Sequence, residues 1–80
     1  MADTATSLYI GRRIQALREG LRMSRKELAE KLEMTPQMIW LYEQGKTDPP
    51  SSRVVQFAEI FGVAPGDFYP TPEEPAAHVG

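Results

Sequence analysis

Between Ser24 and Gly45 the apolar positions fall into two short runs separated by an abrupt break. Leu28, Ala29 and Leu32 recur at the spacing that lines up one face of a helix. The run stops at Glu33-Met34, and a second begins after Thr35-Pro36, with Ile39 and Tyr42 three residues apart. The polar residues at the ends fit the same division. Ser24 and Glu27 have capping-box spacing, in which the serine oxygen takes the Glu27 amide proton and the carboxylate reaches back to the Ser24 amide. Thr35 reads as an N-cap and Pro36 as the first helical residue, where a missing N–H is no loss. Gly45 supplies a left-handed exit. The pattern predicts helices over about 25–32 and 36–44. A turn this short makes the two cross steeply, with Ala29 as the small side chain that lets them approach. The second helix is then left with one face in the core and the other held outward.

The flanking chain predicts more helix. Ile10, Ile14, Leu17 and Leu21 form a stripe, with Arg12, Arg13, Gln15 and Arg18 around it. A helix from Ser7 or Leu8 to Glu19 follows, closed by Gly20, with Met1 to Thr6 frayed. Leu21 and Met23 form the hydrophobic entry to the capping box. Lys46-Thr47-Asp48-Pro49-Pro50 cannot be helical, because consecutive prolines break the amide ladder. Ser51 or Ser52 caps a fourth helix, whose inner face is Val54, Phe57, Ala58 and Phe61 and whose end is Gly62. Val63 plugs the core. Pro65 opens a last short turn of helix carrying Phe68 and Tyr69, and Pro70 stops it. The remaining TPEEPAAHVG is proline-rich and acidic with no apolar period, so disorder is expected there.

Two short helices on a tight turn, the second with a free outer face, have the geometry of a helix-turn-helix, whose second helix enters the DNA major groove. From about Ile10 to Tyr69 the chain resembles the Cro/repressor-type helix-turn-helix domains of phage and bacterial transcription regulators. The pieces that carry the likeness are RRIQALREGLRMS (12–24), KELAEKL (26–32), MIWLYEQGKTDPP (38–50) and FAEIFGVAPGDFY (57–69), in this order and spacing. The resemblance implies an all-α, compact five-helix bundle over residues 1–69, followed by a flexible acidic tail over 70–80. It also implies a transcriptional regulator, a repressor rather than an activator.

Composition narrows the alternatives. Eighty residues make one small domain, which buries about 60% of its unfolded surface and gains from oligomerisation. There is no cysteine, so disulfides and thiolate-ligated zinc are excluded. No apolar run approaches the roughly 20 residues of a membrane span. The opening MADTATS has no signal-peptide character, and a cytoplasmic location is expected. The net charge of −2 argues against nucleic acid, but its distribution does not: residues 1–56 carry all nine basic residues and seven acids, whereas 57–80 carry four acids and no Lys or Arg. No constellation supports catalysis, a cofactor or a metal. His78 has no partner nearby in sequence, and Glu73-Glu74 is a charge pair in the tail, so the chain is not read as an enzyme.

Periodicity turns Thr35, Gln37, Met38, Trp40, Leu41 and Gln44 outward. Gln37, near the helix start, can pair bidentately with adenine. The resemblance sets Pro36, Gln37 and Leu41 at base-contacting positions, with Trp40 beside them. Apolar groups here depart from the family's polar pattern and suit thymine methyls. Two other readings stay open: Met38, Trp40 and Leu41 as a patch for a protein partner, such as the toxin of an antitoxin, or Met38 or Trp40 partly in the core. Arg25 stands where many relatives carry a phosphate-binding glutamine. With Thr35, Lys46, Thr47 and Arg53 it makes a candidate phosphate set. The resemblance also pairs Arg18 with Glu43 as a partly buried structural ion pair, against the alternative of two separate surface charges. Glu33 fills a turn position that is usually glycine. Symmetry and size suggest a homodimer on duplex DNA, through Val63, Phe68 and Tyr69, unless those three only close the core.

Overall fold

The computed structural model describes residues 4–70. Four α-helices follow in order, α1 (Thr4–Gly20), α2 (Arg25–Leu32), α3 (Pro36–Glu43) and α4 (Ser51–Phe61), and a 3-10 turn, Pro65–Phe68, closes the chain. The fifth helix expected from sequence is therefore a single 3-10 turn. No strand occurs among the described residues, and no helix is long and apolar enough to cross a membrane. The expected tail, with Glu73, Glu74 and His78, lies outside the described residues, as do Met1–Asp3.

The helix ends follow from local chemistry. The Ser24 hydroxyl accepts from the Glu27 amide at 3.0 Å, and the Ser24 amide donates to Glu27 Oε1 at 2.8 Å, which completes the capping box of α2. At the other end of α2, Glu33 is left-handed (φ 56°, ψ 45°), and the Met34 amide returns to the Ala29 carbonyl at 2.9 Å. Thr35 is extended, and its hydroxyl accepts from the Met38 amide at 3.2 Å, so α3 starts at Pro36. Gly45 (φ 71°) ends α3 in a conformation that side chains rarely adopt, and a Cβ there would also crowd Leu8.

Four sequence-based expectations change. First, α1 begins at Thr4, not at Ser7 or Leu8. Its early turns are held, with Ser7 buried and Leu8 seated against Gly45. Second, α1 ends at Gly20 as expected, but the exit carries a left-handed conformation two residues beyond it. That conformation falls to Arg22 (φ 58°), and the Met23 amide reaches back to the Arg18 carbonyl at 3.1 Å. This geometry leaves Leu21 52% exposed, outside the stripe assigned to it. Third, neither Ser51 nor Ser52 caps α4. Pro50 is the N-cap, with no side-chain hydrogen bond, and the serines lie inside the helix. Fourth, Phe61 is half-buried and packs on the core's edge.

The core is built around Phe57, which meets Tyr42 edge-on, stacks on Phe61 and tilts against Phe68 at centroid distances of 6.0, 6.1 and 6.4 Å. Ile10, Ile14, Leu28, Ala29, Leu32, Ile39, Val54 and Ala58 complete it. α1 lies across α3, and the crossing is set by Gly11. A Cβ at Gly11 would collide with the Tyr42 carbonyl oxygen and lie 2.6 Å from that of Glu43. Only glycine allows so close an approach. Ala29 is buried in the same core, and the approach of α1 to α3 depends on Gly11, a residue the apolar pattern passes over.

Candidate nucleic-acid interface

α3 is fastened along one side and free along the other. Ile39, Tyr42 and Glu43 are buried, whereas Pro36, Gln37 and Gln44 are exposed and Trp40 and Leu41 half-buried. Met38, grouped with the outward residues by periodicity, packs against the core instead. It sits at the boundary between faces, and an unbranched methionine can bend into a gap there. Thr35 is exposed, with its hydroxyl engaged in the cap.

The fastening is partly ionic. The Glu43 side chain has no solvent exposure. Its Oε2 accepts from Arg18 Nε at 2.7 Å, and its Oε1 from Arg18 Nη2 at 3.3 Å. Arg18 Nη1 donates to the Met23 carbonyl at 2.7 Å, so the same guanidinium holds the α1–α2 turn. A second cation joins. Arg25 Nε donates to Glu43 Oε1 at 2.8 Å, linking the first residue of α2 to the last turn of α3. Nothing in the sequence signals this link, because Arg25 and Glu43 lie on different helices and only the turn brings them together.

Arg25, Pro36, Gln37 and Trp40 line an open recess of about 390 Å³ at the start of α3. Three candidate base-contacting residues and one candidate phosphate contact thus share one surface. Lys46, Thr47 and Asp48 are exposed beyond the other end of α3. Arg53 is engaged through one nitrogen. Its Nη1 donates to the Leu32 carbonyl at 3.0 Å and to Gln56 Oε1 at 2.9 Å, satisfying a carbonyl at the end of α2. Both bonds use Nη1, so Nε and Nη2 of Arg53 can still donate to a phosphate. Of the three residues assigned to a dimer contact, Phe68 is fully buried within the aromatic cluster and has no surface to offer a partner. Val63 is half-buried against the core, and Tyr69 is 38% exposed. Among the described residues no group of three or more His, Cys, Asp or Glu gathers in a metal-binding arrangement.

A capped helix, a three-residue turn and a second helix with one face held outward make a helix-turn-helix, and residues 10–68 match the helix-turn-helix domain family. The chain belongs to that family. It is 32% identical over 65 residues, 81% of its length, to the uncharacterized HTH-type transcriptional regulator y4aM of Sinorhizobium fredii. Its fold is similar to part of hydroxypropylphosphonic acid epoxidase from S. wedmorenis, with a TM-score of 0.78 and 22% identity over 85% of this chain, and to the cobalt form of HppE with substrate, with a TM-score of 0.74 and 23% identity over 81%. At that identity the likeness shows the fold alone. The helix-turn-helix chain spans 46% of the length of the rhizobial regulator and 36% of each of these two enzyme chains.

Proposed function

We propose that this helix-turn-helix chain is a sequence-specific transcriptional regulator that lays α3 in the major groove of duplex DNA. The observation that carries the reading is the geometry of α3. Gln37, Trp40 and Leu41 lie on a face that is not fully buried, while Ile39, Tyr42 and Glu43 anchor the same helix. A base-reading helix needs this combination, because hydrogen bonds to base edges discriminate only when the donor is held in register. In this reading Pro36, Gln37, Trp40 and Leu41 meet base edges, and Arg25, Thr35, Lys46 and Thr47 meet phosphates. Arg53 joins them through Nε and Nη2, while its Nη1 holds Leu32 and Gln56. Action as a repressor, from the cytoplasm, extends the likeness to regulators. A homodimer on a two-fold operator extends the docking rule for such helices, with Val63 and Tyr69 as the contact and Phe68 excluded.

Binding-site selection from random duplex DNA tests the reading, followed by titration of the selected and a scrambled duplex across salt. Enrichment of one motif, bound more tightly than the scramble and with affinity falling steeply with salt, is expected. No enrichment and no duplex binding at low salt would end it. A second reading, an interaction module that takes a protein partner such as a toxin at the Pro36–Trp40 face, is favoured by the net charge of −2 and the apolar residues there. Such a contact is nearly independent of salt.

A further inference from the structure

One carboxylate, that of Glu43, is itself closed to solvent and faces two guanidinium groups, one buried and one at the surface. Arg18 is satisfied there, since all three of its nitrogens donate to Glu43 or to the Met23 carbonyl. Arg25 is not. Its Nε donates to Glu43 Oε1, but among the described residues its two terminal nitrogens have no acceptor. Its side chain is 35% exposed and borders the recess shared with Pro36, Gln37 and Trp40. Two cations against one anion leave one positive charge over. Glu19 approaches only Arg18, at 3.7 Å and from an exposed position, so the surplus emerges at Arg25.

A guanidinium is planar, with its donors in a fixed fork. With Nε tied to a buried carboxylate, the guanidinium loses much of its freedom and the two terminal nitrogens are left for another acceptor. We propose that Glu43 is a positioning residue that presets Arg25 as a bidentate donor to one phosphodiester of the bound duplex, at the edge of the recess where α3 begins. This rests on the DNA-binding reading above and names the chemistry of one of its contacts. A phosphodiester offers two oxygens at the spacing the fork matches. Lysine at this position keeps the charge but not the fork, and has no Nε to be oriented by Glu43.

The test compares the parent with Arg25→Lys on a random-sequence duplex, by fluorescence anisotropy over a range of salt. Counterion release follows charge, so the two lines of log affinity against log salt should run parallel. The Arg25→Lys line should lie about tenfold weaker throughout, the equivalent of one charge-assisted hydrogen bond. Superimposed lines would overturn the proposal. Glu43→Gln should weaken binding in the parent background and add little to Arg25→Lys, and equal losses in both backgrounds would show that Glu43 does not act through Arg25. Because Glu43→Gln also loosens the fold, proton exchange at the Arg25 Nε–H of the free parent gives a second readout. It should be slow relative to exposed Arg12, and equal rates overturn the proposal. A parent that binds no duplex at any salt is a separate outcome, which removes the DNA-binding reading and this contact with it.

Discussion

Arg18 and Glu43, 25 residues apart in the chain, meet through two hydrogen bonds, Nε to Oε2 at 2.7 Å and Nη2 to Oε1 at 3.3 Å, with both side chains almost closed to solvent. A buried pair is not evidence of high stability in itself, since desolvation offsets much of the attraction, but removing one partner strands a charge. Glu43→Gln leaves two guanidinium groups facing a neutral amide. Its unfolding free energy should fall by about 3–5 kcal/mol. Urea melts check this, and a midpoint equal to the parent's would mean that the pair holds nothing in solution.

Gly11 fixes the distance between α1 and α3. The atoms a Cβ would strike are backbone, the Tyr42 and Glu43 carbonyls, and cannot swing aside as a side chain can. Gly11→Ala must push the helices apart, and overpacking of this kind costs about 1–3 kcal/mol. Thermal melts give the size. A variant as stable as the parent would mean that the crossing has slack.

Two residues hold conformations that suit other side chains better. Glu33 is left-handed without being glycine, which costs roughly 1–2 kcal/mol. Glu33→Gly should therefore stabilise the fold by about 1 kcal/mol, after the entropy glycine loses on folding. Gly20 is the converse, a helical glycine with open space where a Cβ would stand. Gly20→Ala should stabilise by about 0.4–1 kcal/mol. Denaturant midpoints read both, and a lower midpoint in either variant would contradict the backbone assignment.

These sites show what the sequence made legible and what it did not. The bounds of α2 and the start of α3 could be read because their signals are local: a capping box at Ser24-Glu27, a threonine cap and Pro36 at the first helical position. The inward side of α3 was legible from the spacing of Ile39 and Tyr42. The end of α1 at Gly20 was legible, but the hydrogen bond from Met23 to Arg18 puts a left-handed residue at Arg22, which no local signal marks. Gly11 and the bond from Arg25 to Glu43 escaped because each depends on helices distant in the chain. Phe68 stayed open between interface and core for a related reason: an apolar residue near the chain's end reads alike as either, and only the aromatic cluster puts it in the core.

The last prediction separates reading from folding on α3. Gln37 is exposed beside the recess, and Ile39, two residues on, is fully buried. Ile39→Ala should lose about 2–5 kcal/mol of stability, the range for opening a cavity in a core. Gln37→Ala should leave the melting curve within about 0.5 kcal/mol of the parent, as surface changes away from caps do. It should still weaken the selected duplex by about 1–3 kcal/mol and relax the choice at one base pair of each half-site. Affinity for scrambled duplex should hold, because phosphate contacts set that term and Gln37 makes none in this reading. Both duplexes are titrated at one salt concentration. Equal losses on the two would deny Gln37 a base-reading role while leaving α3 in the groove. No loss on either would move the contact away from the start of α3 and towards a protein partner at Trp40.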